Sequence, residues 1–285
     1  MKLHQATASI FIPDGMSQDD ALKRVTHLGI GAHQDDLEFM ALHGIVECHG
    51  RSNRWFGGVT CSNGAGSSRS GPYAAFSDDE MMAIRREEQN AAALIGEYAV
   101  MLQLDHPSSS LKHANDSIIS QELLDILLAT TPEVVYTHNP ADKHDTHVAV
   151  CIAALQALRE MPRDRRPHQV IGCEVWRDLD WMPDEAKVIM DVSGRENFAA
   201  AITRVFDSQI SGGKRYDLAT IGRRAANATF SDPHRIDSST QVILGMDLTP
   251  MIRDDSQDIA GFVGDLIDRF HADVRGKIHQ RLGII

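Results

Sequence analysis

The sequence predicts an α/β protein: a Rossmann-like, three-layer fold with a mainly parallel sheet. Three observations carry this. Short apolar runs alternate with longer amphipathic stretches at roughly 30 residues per strand–helix unit. Clusters of His and Asp directly follow two of those runs, beyond the carboxyl ends of strands, where doubly wound sheets bind ligands. The chain has 285 residues, 42% hydrophobic and 24% charged, enough to bury a sizeable core within one domain. Right-handed crossovers make the doubly wound arrangement the default for such a pattern.

Taken in order, the first strand is expected over 25–32 and a helix over 37–49. A second strand over 55–61 runs into a Gly/Ser-rich loop over 62–71. The helix over 78–96 has Met81, Ile84, Ala91, Ala92 and Ile95 near helical spacing and Gly96 where it should stop. A strand over 99–104, a helix over 117–130 and a strand over 133–137 follow. Asp145 is then expected to cap a helix that places Val148, Cys151, Ile152, Leu155 and Leu158 on one face. Strands over 170–176 and 187–191 and a helix over 196–209 complete the regular part. The portion 210–285 reads as a less regular continuation of one domain spanning 1–285, irregular over 210–250 and ending in a helix over 257–281. The irregular stretch is expected to shape a substrate pocket or a subunit contact, which leaves a homo-oligomer open.

The formal net charge of −12 argues against nucleic acid as a partner, because nucleic-acid binding draws on clustered Lys and Arg. No apolar run is long enough to cross a bilayer, and 1–14 lacks the pattern of a signal peptide. The four cysteines form no CxxC pair and read as buried, reduced thiols. Together these predict a cytoplasmic protein acting on a small molecule.

The chemistry sits in two segments. Ala32-His33-Gln34-Asp35-Asp36-Leu37-Glu38 leaves a strand and enters a helix, crowding one imidazole and three carboxylates together. Such crowding at a partly buried strand end is unfavourable unless a cation compensates, and zinc takes imidazole nitrogen and carboxylate oxygen readily. His33 and Asp36 can both point at one ion, with Asp35 projecting to another side. The second segment, Thr137 to His147, carries His138, Asp142, His144, Asp145 and His147. Of His144 and His147 only one need reach the ion while the other faces the substrate. Such a set leaves a coordination position open, as catalytic zinc requires. Taken singly, His138 reads as structural and 142–145 as a solvated loop.

These residues resemble the PIG-L/LmbE-like family of zinc-dependent de-N-acetylases. Its hallmark Ala-His-Pro-Asp-Asp-x-Glu is matched at Ala32–Glu38, and its later His-x-x-His at His144–His147. Ile84-Arg85-Arg86-Glu87-Glu88 and Ser208-Gln209 also look similar to the family pattern, so the resemblance covers 25–209. It implies an LmbE-like fold with zinc held by His33, Asp36 and His147, although two histidines and a carboxylate also suit Fe2+ or Mn2+. It further implies Asp35 as general base, His144 as stabiliser of the oxyanion, and Arg85, ahead of Arg86, as a substrate contact. Two positions depart from the pattern. Gln34 replaces proline, which predicts a less rigid turn. Thr146 stands where an Asp is usual, so Asp142 is expected to orient His144 or His147.

The implied activity is hydrolysis of an N-acyl amide, N-acetyl on an amino sugar or sugar conjugate. A zinc-dependent hydratase acting on an unsaturated carboxylic acid and a non-catalytic metal- or sugar-binding protein are the alternatives; Asp35 speaks against the last. Other features carry less. Gly29-Ile30-Gly31 lacks the third glycine of a dinucleotide loop, and the 62–71 loop, without a Gly-Lys-Ser/Thr ending, reads as a mobile flap. His106, His113, His168 and His234 lack supporting spacing, and Arg163, Arg165 and Arg166 read as a solvated basic turn.

Overall fold

The computed structural model describes residues 1–113 and 117–284; positions 114–116 and 285, which the single-domain reading spans, lie outside the described residues. The elements are β1 (Ser9–Phe11), α1 (Gln18–Lys23), β2 (His27–Gly31), α2 (Asp36–Met40), α3 (Leu42–Cys48), β3 (Phe56–Ser62), α4 (Asp78–Ile95), β4 (Val100–His106), α5 (Ser108–Leu111) and α6 (Ile118–Thr130). Then come β5 (Val134–His138), α7 (Asp145–Glu160), β6 (Gln169–Cys173), β7 (Lys187–Asp191), α8 (Glu196–Arg204), α9 (Asp207–Ile210), α10 (Tyr216–Thr229), β8 (Val242–Asp247), α11 (Thr249–Arg253) and α12 (Ile259–Leu282).

Among the described residues eight strands form one mixed sheet in the order β1-β4-β3-β2-β5-β6-β8-β7. Parallel pairing joins β4-β3-β2-β5-β6, whereas β1 is antiparallel to β4, and β8 is antiparallel to both β6 and β7. From β2 the chain steps outward to β3 and β4, then returns to the other side for β5 and β6. The loops after β2 and β5 therefore diverge, leaving a crevice beyond their carboxyl ends.

Burial on both faces explains the apolar composition of the central strands. Leu28, Ile30, Val59, Leu102 and Val135 share one core with α6 and α7. Phe56, Met101, Tyr136 and Ile171 face the other way and pack with α2, α3, α4 and α8. Gly29 belongs to this packing: a Cβ there would lie 2.7 Å from Phe56 Cζ and 2.9 Å from Leu37 Cδ2. The pair of glycines in β2 thus lets α2 approach the sheet, as a core requirement.

Several expectations are revised. The helix over 37–49 is divided at Ala41 into α2 and α3, and that over 196–209 at Val205–Phe206 into α8 and α9. The N-cap of α7 is His144 rather than Asp145, with no side-chain cap. The stretch 210–250 is more regular than its composition suggests, holding α10 and the sheet strand β8. The edge strand β1 and helix α1 give too short a pattern to be read from sequence. Arg166 is buried, donating to the carbonyls of Arg159, Met161 and Ile252 and pairing with Asp255, so it ties β6's approach to α7 and α11 rather than facing solvent. The cysteines are free and buried, and burial pushes their thiols up, Cys48 to about 12. Among the described residues no helix is long and apolar enough to cross a membrane.

Gly44 in α3 provides a test of packing against propensity. A Cβ there would meet Tyr136 Cε2 at 2.5 Å and Cζ at 2.9 Å, and the Tyr136 hydroxyl is fixed by His43 Nδ1 at 3.0 Å. Helix propensity alone would favour Gly44→Ala by about 1 kcal/mol. Overpacking costs about 1–3 kcal/mol and prevails at a ring that cannot move aside. Gly44→Ala is therefore expected to lower stability in urea unfolding, with an unchanged m-value.

Candidate metal centre

The cluster forms where β2 and β5 end side by side. Asp36, the first residue of α2, turns its carboxylate back over the strand end. Its Oδ2 accepts from the His33 N–H at 2.7 Å and the Ala32 N–H at 3.1 Å, and lies 3.2 Å from His138 Nε2. Burial alone would push this carboxyl up; the neighbouring His147 and His138, with the side-chain contacts to His138 and His33, hold it well below the usual range. Asp36 is therefore an anion in a dry place.

Around it stand imidazoles that burial keeps neutral. His33 is lowered from its ordinary value, and His138 is lowered to about 4. His33 Nδ1 is 3.3 Å from Asp36 Oδ2 and 3.2 Å from His147 Nε2, and His147 Nε2 is 3.4 Å from Asp36 Oδ1. On the far side of its ring, His147 Nδ1 lies 3.1 Å from Asp142 Oδ2, which leaves Nε2 as the lone-pair nitrogen facing the cluster. Asp142 is held in turn by the N–H groups of Lys143, Trp176 and Arg177. Burial would raise its carboxyl, but the bond to His147 and these donors hold it low.

Tetrahedral zinc with bonds of about 2.0–2.1 Å sets its ligand atoms about 3.3–3.4 Å apart. The spacings among His33, Asp36 and His147 are close to that edge, through Oδ2 of Asp36 toward His33 and Oδ1 toward His147, and a set of two imidazoles and one carboxylate suits a divalent cation. Two other groupings also bring donor atoms within reach of an ion, His33 with His144 and His147, and Asp36 with His138 and His147. His147 is common to both.

Asp35 occupies the next position in an unusual backbone state. Its φ of 97° is left-handed for a non-glycine residue, a strain of about 1–3 kcal/mol that the surroundings must impose. They do so with polar contacts. Its N–H donates to Gln89 Oε1 at 3.1 Å, and Gln89 Nε2 donates to Glu38 Oε1 at 2.9 Å, where the Tyr98 hydroxyl also donates at 2.7 Å. The carboxylate of Asp35 pairs with Arg85 Nη2 at 3.2 Å. Arg85 also donates to the Gln34 carbonyl and to Ser67 Oγ. Burial pushes the Asp35 carboxyl well up, and Arg85 opposes this.

The turn is not loosened by the absence of proline. Gln34 is buried and donates to the Ser62 carbonyl at 3.0 Å, tying the turn to the end of β3. Arg86 points away and pairs with Asp105 at 2.9 Å.

His33, Asp35, Asp36, Arg85 and His144 line one cavity of about 710 Å³. His144 is half-buried, stacks on His147 with ring centroids 4.5 Å apart, and is lowered to about 4 by burial and by His147 and His33. His144 Nδ1 has no partner among the described residues, and Asp142 reaches the ring of His147 rather than that of His144. The loop after β3 contributes Gly64, Gly66, Ser67 and Ser68 to the lining. Ser208 and Gln209 enter through Glu88, whose carboxylate accepts from the Ser208 N–H and hydroxyl, both at 2.6 Å; Gln209 then lines the cavity.

Sequence reasoning passed over His138, Gln89 and the aromatic wall of Trp176 and Tyr216. His138 ends a strand beside two other histidines, and that spacing was the available signal. Gln89 and the aromatic pair leave none, because α4, the loop after β6 and α10 meet only in three dimensions.

A mixed α/β sheet with a His/Asp cluster at its switch point defines the class. Residues 28–158 match the PIG-L family, described as GlcNAc-PI de-N-acetylase. Solved structures of similar fold include the conserved protein TT1542 from Thermus thermophilus, at 17% identity and TM-score 0.62 over 82% of this chain and 99% of that one. N,N'-diacetylchitobiose deacetylase from Pyrococcus horikoshii matches at 13% identity and TM-score 0.62, over 85% and 90%. GalB, the 4-carboxy-2-hydroxymuconate hydratase from Pseudomonas putida KT2440, matches at 18% identity and TM-score 0.59, over 79% and 96%. At these identities the likeness is one of fold. No curated protein matches the sequence.

The Asp142–His147 contact leads to a prediction. Asp142→Ala is expected to weaken divalent-metal binding by about 10–100-fold, because the imidazole loses its orienting acceptor. Competition titration with a chromogenic chelator reads this directly, and affinity equal to that of the parent protein would contradict it.

Proposed function

We propose that the protein is a metal-dependent amide hydrolase that removes an N-acyl group, foremost N-acetyl, from an amino sugar or sugar conjugate. The observation that carries this is the grouping of His33 Nδ1, the Asp36 carboxylate and His147 Nε2, 3.2–3.4 Å apart, beside a cavity that His33, Asp35 and Asp36 line. The matched family and the deacetylase of similar fold support the choice of reaction.

In this reading His33, Asp36 and His147 hold zinc, with Fe2+ or Mn2+ as chemically suitable substitutes. The bound cation supplies Lewis acidity, polarising the acyl carbonyl and lowering the pKa of water. Asp35 takes the proton from the attacking water and returns it to the departing amine nitrogen. Arg85 and Gln89 fix Asp35 for that transfer by holding its carboxylate and its backbone N–H. His144 donates a hydrogen bond to the carbonyl oxygen as negative charge develops there. Asp142 keeps His147 in the tautomer that presents Nε2.

A hydratase reading uses the same metal residues and is favoured by the fold shared with GalB and by cationic side chains in the cavity. A binding protein that performs no reaction has no use for a strained acid beside the ligand set.

Zinc-loaded protein offered N-acetylated amino sugars is expected to release acetate. Asp35→Asn is expected to lower kcat/KM by about 10²–10⁴-fold while retaining metal, and His33→Ala to lose stoichiometric zinc by elemental analysis. Full activity in Asp35→Asn would overturn the role of the acid. Turnover of unsaturated dicarboxylic acids without acetate release from any amide would replace the hydrolase by the hydratase.

A further inference from the structure

We infer that the substrate of this site carries a negatively charged group beside its reacting amide, a phosphate or a carboxylate, held by Lys143, Lys214 and Arg223. The inference rests on the hydrolase reading for the reaction, though the charge itself is argued from the cavity alone. The chain is acidic, with a net charge of −12, yet the cavity wall runs the other way. Its lining includes Lys112, Lys143, Lys214 and Arg223 in addition to the buried Arg85 and Arg224.

The cations differ in what already occupies them. Arg85 is paired with Asp35, and Arg224 donates to the carbonyls of Glu38 and Phe39, both at 2.9 Å. Among the described residues Lys143, Lys214 and Arg223 make no ion pair. The acids of the lining form no ion pair with them, although the charge of Arg223 acts on the nearby Glu174. Asp35 faces Arg85, and Asp36 is enclosed by imidazoles and backbone N–H groups. Glu174 is buried near Arg223, but its oxygens accept from Asn227, the Leu244 N–H at 3.0 Å and the Leu179 N–H at 3.3 Å.

The positions of these cations follow from the aromatic wall. Arg223 is oriented by donating to the Val175 carbonyl. Lys214 Nζ stands 5.1 Å from the Trp176 ring centroid, and Trp176 lies 6.1 Å from His144, ring to ring. One aromatic ring therefore separates the lysine from the reacting end of the cavity. A lone solvated lysine on a surface needs no ligand, but cations converging on a concavity repel one another and concentrate anions there. A divalent cation at the cluster adds to that field. A neutral sugar would leave it unanswered.

The test uses the whole chain and three probes: methyl N-acetylglucosaminide, N-acetylglucosamine 1-phosphate and N-acetylmuramic acid. Binding to metal-free protein is read by calorimetry, and acetate release by metal-loaded protein is read separately. At least one anionic probe is expected to bind about tenfold or more tightly than the neutral one, with an advantage that shrinks in 0.5 M salt, as about one charge contact or more requires. Whichever anionic probe gains identifies phosphate or carboxylate as the group held. The substitutions Lys143→Gln, Lys214→Gln and Arg223→Gln together should remove most of that advantage, whereas Lys214→Arg alone should keep it. Equal binding of neutral and anionic probes, or an advantage that survives the triple substitution in folded protein, would overturn the inference. Acetate release without any anionic preference sinks this inference and leaves the hydrolase standing. Anionic preference in binding without acetate release from any amide does the reverse.

Discussion

A carboxylate held dry and ionised is the constraint on which the rest of this site depends. Asp36 accepts two backbone N–H groups at the end of β2 and is faced by His33, His138 and His147. Burying such a charge costs several kcal/mol unless something of opposite sign compensates. The imidazoles of His33 and His138 are kept neutral by the same burial, so they offer lone pairs and dipoles rather than charge. The two backbone N–H groups and the imidazoles that face Asp36 supply that compensation from the protein side. The fold accommodates it because β2 and β5 are neighbours whose connections leave in opposite directions, so backbone donors and side chains from both ends converge on one point.

Around that charge the chain spends polar contacts on holding a second carboxylate in an unfavourable backbone state. Asp35 keeps its left-handed conformation through Gln89, and Gln89 is kept in place by Glu38, which the Tyr98 hydroxyl also reaches. The Glu at the end of the first motif is thus a brace for the turn. It never lines the cavity among the described residues. Gln34 does for its turn, by hydrogen bonding to Ser62, what a proline would do by ring closure.

What could be read in the sequence was what is local. The strand runs, the helices of α4, α6 and α7, and the two His/Asp segments each lie within one continuous stretch, and the structure places His33, Asp35, Asp36, His144 and His147 together. The antiparallel insertion of β8 between β6 and β7 was hidden, because strand order is a property of the whole sheet and no local turn announces 242–247. The division of the helix at Ala41 was hidden for a related reason: the apolar spacing continues across it while the backbone bends. His138 was undervalued because, taken singly, a histidine at a strand end reads as structural. Its meaning comes from Asp36, more than a hundred residues away in the chain.

The strand β8 and the helix α10 that packs on it lie outside the span that matches the family, 28–158. The His/Asp cluster and Arg85 lie inside it, whereas Trp176, Lys214, Tyr216 and Arg223 on the cavity wall come from beyond. The strand-end cluster and the aromatic wall thus come from separate lengths of chain, joined by contacts such as those of Asp142 with the Trp176 and Arg177 N–H groups and of Glu88 with Ser208. A change of sequence in α10 and the loop after β6 alters the cavity wall without replacing any residue of the strand-end cluster. The later part of the chain is in this sense a separable front to the strand-end cluster.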